Sequence, residues 1–202
     1  GQLLIDVHAA GVNFPDLLMT RGEYQVKPEL PFVPGSEVSG IVADAPAGSG
    51  FKVGDRVASF TLLNGIAERV AVPADFALRI PDSMTFAQGA ALPMNYLTME
   101  FALIRRGGVQ RGETVLIHGA AGGIGTAGIQ ISKALGATAI AVASTPEKRE
   151  VAIAAGADHA IDVEGFLAAS KELTDGRGVD VVVDSVGGDR FTDSLRALAP
   201  EG

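Results

Sequence analysis

The sequence predicts an α/β protein in which a β-rich domain is followed by an incomplete doubly wound parallel sheet. Short strand-like runs separated by glycine and proline fill the first part of the chain, as in compact β domains. From about Thr85 the pattern becomes helical, and strands and helices then alternate, which is typical of a parallel sheet covered by helices on both faces. We therefore expect one domain at residues 1–91 and a second at residues 92–202.

The first domain is predicted to contain five strands and one short helix. The strand-like runs are Leu3–Val7, Glu37–Ala43, Arg56–Phe60, Ile66–Val72 and Phe76–Ile80. Residues 13–20 are predicted to be helical, because Asn13 is a good N-cap residue and Pro15 stands in the first turn, where a missing N–H is tolerated.

The second domain is predicted to open with a helix at Asn95–Arg106, which has a basic end and is followed by Gly107. The strands that follow are predicted at Thr114–Ile117, Ala139–Ala143, His159–Val163 and Val179–Val183, and the helices at Ile124–Leu135, Pro146–Ala155, Phe166–Leu173 and Arg190–Leu198. This alternation supplies four of the six strands of a doubly wound sheet.

Composition excludes several classes of function. Of the 202 residues 47% are hydrophobic and 20% are charged, as in a globular protein with ample core. The net charge of -8 argues against a nucleic-acid partner, and no apolar run approaches the length of a membrane span. The chain has no cysteine, which excludes disulfides and thiolate metal sites and fits a reducing cytosol, so we expect a cytoplasmic protein.

A glycine-rich turn in the middle of the chain is the first indication of function. The apolar run Val115–Ile117 is followed by Gly119, Gly122 and Gly125, and then by a helical pattern. Glycines at this spacing let the backbone turn tightly and approach a dinucleotide pyrophosphate, whose charge lies at the helix N-terminus. A lone glycine pattern is weak evidence, but the strand before it and the βα units after it favour a dinucleotide site.

The end of the next predicted strand indicates which dinucleotide binds. NAD-binding domains usually carry an acidic residue there, whereas this chain has Ser144 and Thr145. Small hydroxyl side chains leave room for a 2′-phosphate, which Lys148 or Arg149 can neutralise. An ordinary solvated helix start is the alternative, and Glu147 is compatible with it. The sequence favours NADP.

The glycine motif and the histidine beside it each allow another interpretation. The glycine spacing also fits short-chain dehydrogenases, but these need a Tyr-x-x-x-Lys pair, and Tyr24 and Tyr96 are followed at that spacing by Pro28 and Glu100. His118, at the end of the strand, is expected to be packed or hydrogen-bonded rather than catalytic, because no second histidine or carboxylate lies close to it in sequence.

Six stretches together resemble the medium-chain dehydrogenase/reductase superfamily, and specifically its zinc-independent NADPH:quinone oxidoreductase branch. They are Ala9–Asp16, Pro34–Glu37, Gly54–Val57, Tyr96–Thr98, Ala120–Gly125 and Asp184–Gly188. The resemblance implies a GroES-like catalytic domain at residues 1–91 that lacks N-terminal strands. It also implies an NADP-binding Rossmann domain at residues 92–202 that lacks its last strands, an active site between the domains, and a homodimer of the full-length protein.

The same resemblance implies a site without metal. Zinc-dependent relatives have a cysteine near the position of Asn13 and a histidine in a Gly-His-Glu motif where this chain has Gly35-Ser36-Glu37. With both ligands replaced, we expect no metal site and interpret Glu37 as a structural carboxylate.

Site residues are carried over from the resemblance by position. They are Asn13 and Thr98 near the nicotinamide, Ala121, Gly122, Gly123 and Ile124 at the pyrophosphate, Ser144 and Lys148 at the 2′-phosphate, and Val186 and Gly187 at the nicotinamide ribose. Asn13, Tyr24 and Thr98 are expected to line the catalytic cleft. Two of these residues also have a purely structural interpretation. Asn13 could simply cap a helix, and the Thr98 side chain could hydrogen-bond to its own backbone.

The implied activity is NADPH-dependent hydride transfer to a small-molecule quinone or enone (conjugated carbonyl). A quinone oxygen can take its proton from water, which suits a site without an obvious strong acid. An enoyl-thioester reductase is the first alternative, because related domains share the scaffold. A non-catalytic NADPH-binding or structural protein is the second.

Overall fold

A computed structural model describes all residues from Gly1 to Gly202. By its internal contacts the chain forms two compact units, Gly1–Met94 and Asn95–Gly202. None of the helices combines the length and the apolar character needed to cross a membrane.

The N-terminal unit is built on a five-stranded antiparallel sheet. Its strands are β1 (Gln2–Gly11), β2 (Glu37–Asp44), β3 (Arg56–Phe60), β4 (Arg69–Pro73) and β5 (Ala77–Arg79). They lie in the order β4-β1-β2-β3-β5. Alternate residues of the strands point into one core, in which Leu3, Ile5, Val38, Val42 and Val57 are fully buried.

Two short helices complete this unit, α1 (Phe14–Thr20) and α2 (Phe86–Ala90). Asn13 is the N-cap residue of α1, as the sequence predicts. Thr85 caps α2, because its hydroxyl accepts the Gln88 N–H at 3.2 Å while the Gln88 side chain accepts the Thr85 N–H at 2.9 Å.

The C-terminal unit contains a four-stranded sheet in which every pair is parallel. Its strands are β6 (Thr114–His118), β7 (Thr138–Val142), β8 (His159–Ile161) and β9 (Val181–Val183), and its helices are α3 (Pro93–Glu100, which begins at the end of the N-terminal unit), α4 (Gly123–Leu135), α5 (Pro146–Ala154), α6 (Phe166–Glu172) and α7 (Phe191–Ala197). The strand order β8-β7-β6-β9 is that of a doubly wound sheet. The predicted fold class is confirmed.

Apolar clusters lie on both faces of the parallel sheet. One contains Val115 and Ile117 with the buried face of α4, and the other contains Leu116 and Ile140 with Phe166. Neighbouring residues of β6 thus belong to opposite clusters, which explains why the strand is a continuous apolar run. Gly136, with a φ of 81°, ends α4 in the left-handed conformation that the sequence predicts for a helix stop.

Two strands begin two or three residues later than predicted, for reasons that lie outside each segment. The run Ile66–Val72 pairs only from Arg69, because the Ile66 N–H donates to the Pro34 carbonyl of a neighbouring loop. The run Val179–Val183 pairs as a strand only from Val181, because the Val179 N–H donates to Ala197. Among the other strands, β1 extends four residues beyond its predicted end at Val7, β8 ends two residues before Val163, and the remaining ends differ by at most one residue.

The helix predicted at Asn95–Arg106 is instead formed in two parts. It begins earlier, at Pro93, and its α-helical part ends at Glu100. Residues Phe101–Arg106 follow as π-helix, with the Gly107 N–H donating to the Ala102 carbonyl five residues back at 2.7 Å. A hydrophobic period of 3.6 does not distinguish these two forms over so few residues.

Candidate functional site

The glycine turn after β6 is the centre of the candidate nucleotide site. Gly119 has a φ of 61°, where a side chain would be strained, and its carbonyl accepts the Gly122 N–H at 2.9 Å. A Cβ on Gly125 would lie 2.5 Å from Ala120 Cα and from the Gly119 oxygen. Glycine is therefore required at Gly125 for α4 to begin this close to the turn.

An open groove of about 520 Å³ lies at the carboxyl ends of the parallel strands, beside this turn. Five of the residues predicted to bind the cofactor line it, namely Ala121, Gly122, Ser144, Lys148 and Val186. Gly123 and Ile124 form the start of α4, and Gly187 follows Val186. The other lining residues are Gly119, Val142, Ala143, Val151, Val163 and Arg190, so the lining contains two cationic side chains and no carboxylate.

The segment after β7 distinguishes the two basic residues that the sequence left as alternatives. Thr145 caps α5 by accepting the Lys148 N–H at 3.3 Å, and Lys148 Nζ lies 3.5 Å from Ser144 Oγ. Arg149 has different partners, since it forms an ion pair of 2.6 Å with Asp162 and donates to the Ala143 carbonyl. Lys148 is thus the basic side chain of this helix that lines the groove.

The loop after β9 is held in place by Asp184. Its Oδ1 accepts the backbone N–H groups of Val186 at 3.0 Å and of Gly187 at 2.7 Å. Partial burial favours protonation of Asp184, but these hydrogen bonds and one from Ser194 outweigh it and hold the pKa of the carboxyl below its usual range. Gly187 has a φ of 63° and a ψ of -146°, a conformation that is open essentially only to glycine.

His118 is fully buried at the end of β6 and is linked to this loop through Ser194. The Ser194 hydroxyl donates to Asp184 Oδ2 at 2.9 Å and lies 3.1 Å from His118 Nε2. Because the hydroxyl proton is used toward Asp184, the hydrogen bonding assigns a proton to Nε2, which then donates to Ser194. His118 Nδ1 has no partner, and Phe166 packs edge-on against the ring.

Burial lowers the pKa of His118, an effect that Asp184 opposes and the charge of Arg190 reinforces. The imidazole is therefore held neutral. The prediction that His118 is packed and hydrogen-bonded is confirmed.

In the N-terminal unit, Asn13 belongs to a buried network with two carboxylates. Its Nδ2 donates to Glu37 Oε1 at 2.8 Å, and the Met94 N–H donates to Glu37 Oε2 at 2.7 Å. Asp16 accepts the Asn13 N–H at 2.8 Å and contacts of 3.2–3.3 Å from Ser36 and Gly35. Burial raises the pKa of Glu37, although the hydrogen bonds from Asn13 and Met94 oppose the rise.

The three predicted catalytic residues come from different elements. Asn13 precedes α1 and Tyr24 is half-buried in the segment between α1 and β2, both in the N-terminal unit. Thr98 is exposed on α3 in the C-terminal unit. No three or more His, Cys, Asp or Glu side chains are grouped so that they could hold a metal ion.

Arg190 lines the groove and was not among the predicted site residues. The sequence pattern assigns it to the start of the last helix, where a basic residue has no special meaning. The available signal was its position two residues after Gly188, in the segment that follows a strand of the parallel sheet.

Comparison with known proteins covers both units. The family described as "Alcohol dehydrogenase GroES-like domain" matches residues 1–82, and the family described as "Zinc-binding dehydrogenase" matches residues 123–202. Across its whole length the chain is 42% identical to quinone oxidoreductase-like protein 2 of Rattus norvegicus, of which it covers 59%.

Two solved structures match both units together. The quinone oxidoreductase of Thermus thermophilus, also solved in complex with NADPH, has a TM-score of 0.88 and 36% identity; the chain matches it along its whole length and covers 63% of it. The CurK enoyl reductase has a TM-score of 0.91 and 32% identity, again over the whole chain, and 64% of it is covered. The chain therefore spans about 60% of the length of these relatives. The paired family matches and the full-chain similarities show that it belongs to the medium-chain dehydrogenase/reductase superfamily, with quinone oxidoreductases among its relatives.

Proposed function

We propose that this protein is an NADPH-dependent oxidoreductase that transfers a hydride to a quinone or a conjugated carbonyl. The groove at the glycine turn is the observation that carries the proposal. It joins a glycine turn, in which a side chain at Gly125 would clash with the backbone, to a cationic lining without carboxylates, which suits a phosphorylated dinucleotide. The similarity to a quinone oxidoreductase solved with NADPH supports the same assignment.

The residues in and beside the groove suit the phosphates and a ribose of NADPH. Ala121, Gly122, Gly123 and Ile124 would hold the pyrophosphate, because a turn without side-chain bulk exposes backbone N–H groups at the start of α4. Ser144 and Lys148 would hold the 2′-phosphate beside β7. Val186 and Gly187, fixed by Asp184, would hold the nicotinamide ribose.

The protein's part in the reaction is to position the reactants. The dihydronicotinamide ring supplies the hydride when NADPH is bound. Asn13, Tyr24 and Thr98 are proposed to line the site and orient the acceptor, with residues 1–91 forming the catalytic domain and residues 92–202 the nucleotide domain. A quinone oxygen can take its proton from water, so no strong side-chain acid is needed.

We propose that the reaction proceeds without zinc. Both oxygens of the Glu37 carboxylate already accept hydrogen bonds, from Asn13 and from the Met94 N–H, and so support a structural role for this side chain. The position that holds histidine in zinc-dependent relatives is Ser36, which contacts Asp16. Cytoplasmic location and homodimerisation of the full-length protein stay predictions.

Measurement of NADPH oxidation tests the activity. With the full-length protein, 1,4-quinones should accelerate the loss of absorbance at the dihydronicotinamide band, and added chelator should leave the rate unchanged. NADPH binding without turnover of quinones or of enoyl thioesters would contradict the enzymatic proposal and favour a binding or structural role.

An enoyl-thioester reductase is the second candidate, favoured by the similarity to the CurK enoyl reductase. The same assay separates the two, because a thioester reductase should turn over enoyl thioesters at low concentration and reduce simple quinones poorly. A reversed preference supports the quinone proposal.

The choice of NADPH over NADH is tested at Lys148. The Lys148→Ala change removes a charge-assisted contact to the 2′-phosphate, and contacts of this kind contribute about 1.5–3 kcal/mol. NADPH affinity should fall by about 10-fold to 100-fold while NADH affinity stays nearly constant. Arg149→Ala, at the neighbouring side chain paired with Asp162, is the control and should leave the ratio unchanged. Equal losses for both nucleotides at Lys148→Ala would contradict the assignment.

A further inference from the structure

Arg190 is a half-buried cation that lines the groove and forms no ion pair. Among the ion pairs of the chain, Arg149 pairs with Asp162 and Arg196 pairs with Asp193, whereas Arg190 takes part in none. The lining of the groove contains no carboxylate that would neutralise it. A guanidinium placed in this way is available to bind an anion in the groove.

The order of the strands places Arg190 across the glycine turn from Lys148. Neighbouring parallel strands are about 5 Å apart, and β7, β6 and β9 lie side by side in that order. Lys148 follows β7, the glycine turn follows β6, and Arg190 follows β9. The two cations therefore flank the turn on opposite sides.

The loop that carries Arg190 lies directly against the glycine turn. A Cβ placed on Gly119 would be 3.4 Å from Val186 Cγ2 and 3.7 Å from Ser185 Oγ. The influence of Arg190 on the pKa of His118, the last residue before the turn, is consistent with this placement. A phosphate resting on the turn would therefore lie beside the loop that carries Arg190.

We propose that Arg190 is a second phosphate-binding residue of the groove and contacts the dinucleotide pyrophosphate from the β9 side. Lys148 and Arg190 then divide recognition between them, since Lys148 reads the 2′-phosphate and Arg190 holds the pyrophosphate common to NADPH and NADH. The planar guanidinium suits the adjacent oxygens of a pyrophosphate, to which it can donate two parallel hydrogen bonds. This inference rests on the proposed function of the groove.

Calorimetric titration of the full-length protein with three nucleotides tests whether Lys148 and Arg190 bind different phosphate groups. NADPH carries both groups, NADH carries only the pyrophosphate, and 2′-AMP carries only the 2′-phosphate. Arg190→Ala should weaken NADPH and NADH by a similar factor of about 10 or more and leave 2′-AMP unchanged. Lys148→Ala should weaken NADPH and 2′-AMP and leave NADH unchanged.

Two further variants control for structural effects. Arg196→Ala removes a guanidinium on α7 that is paired with Asp193 at 3.2 Å and does not line the groove, so it should bind all three nucleotides as the wild type does. Arg190→Lys keeps the charge without the paired donors and should bind both dinucleotides with intermediate affinity.

The outcomes separate this inference from the function on which it rests. A wild-type protein that binds neither dinucleotide overturns both. A wild type that binds NADPH, together with an Arg190→Ala variant that binds it equally well or loses 2′-AMP to the same extent, overturns only the role of Arg190. The expected pattern also includes a shallower salt dependence of NADPH binding in Arg190→Ala, because one fewer cation meets the phosphates.

Discussion

Replacement of Gly125 by alanine should separate helix α4 from the glycine turn. The new Cβ would lie 2.5 Å from Ala120 Cα and from the Gly119 oxygen, and 2.6 Å from the Ala120 carbonyl carbon. All three atoms belong to the backbone, so no side chain can rotate away. Relief requires the helix to move from the turn by roughly 1 Å, a form of overpacking that costs about 1–3 kcal/mol.

A second glycine of the same helix provides a matched reference. At Gly128 the added Cβ would meet Met99 Cε at 3.0 Å, the tip of a flexible side chain that can shift. Both substitutions gain up to about 1 kcal/mol of helix propensity, so this gain cancels between the two variants. Gly125→Ala should therefore be less stable than Gly128→Ala by about 1–3 kcal/mol.

Urea unfolding of both variants, followed by circular dichroism, measures the difference. NADPH titration should in addition show weaker binding for Gly125→Ala alone, because the displaced helix start no longer presents its N–H groups at the turn. Equal unfolding free energies in the two variants would refute the argument, since they would show that the turn yields without cost.

Two further predictions concern buried polar groups. Because burial depresses the pKa of His118, the folded state binds fewer protons than the unfolded state below about pH 6.5, and stability should fall on acidification by up to about 1.4 kcal/mol per pH unit. The free energy of unfolding, measured between about pH 7.5 and 5.5, should show this fall in the wild type and in His159→Gln, a change at an exposed histidine. It should not fall in His118→Gln, and a fall that persists in His118→Gln would contradict the prediction. Asp16→Asn should lower the free energy of unfolding, measured in urea, by about 1–3 kcal/mol. The amide NH₂ that replaces one carboxylate oxygen would then face a backbone N–H donor, that of Gly35 or that of Asn13. The same change at the exposed Asp44 should be near neutral, and equal effects at both sites would remove the basis of the prediction.

Local patterns predicted the architecture well because the relevant information is local. The apolar run Val115–Ile117 is continuous because its residues are buried on both sides, and Gly136 ends α4 because glycine adopts the left-handed conformation without strain. The order of strands follows from the same alternation.

Features that depend on distant partners were not predictable in this way. Ser194 and His118, which are in contact, are 76 residues apart in sequence. Val179 is not part of β9, because its N–H donates to the Ala197 carbonyl. Arg190 carries meaning only once β9 is placed beside β6. The sequence predicts that Lys148 or Arg149 binds the 2′-phosphate but does not distinguish them. The structure does, because Arg149 forms an ion pair with Asp162.

The buried link from His118 through Ser194 to Asp184 gives the protein an intrinsic spectroscopic reporter. A ring proton on Nε2 that is shielded from water and hydrogen-bonded exchanges slowly, and its resonance depends on the position of the Ser194 oxygen. That oxygen also donates to the carboxylate that holds the backbone at Val186 and Gly187. Nuclear magnetic resonance of a single imidazole proton can therefore follow the conformation of this loop without any added label.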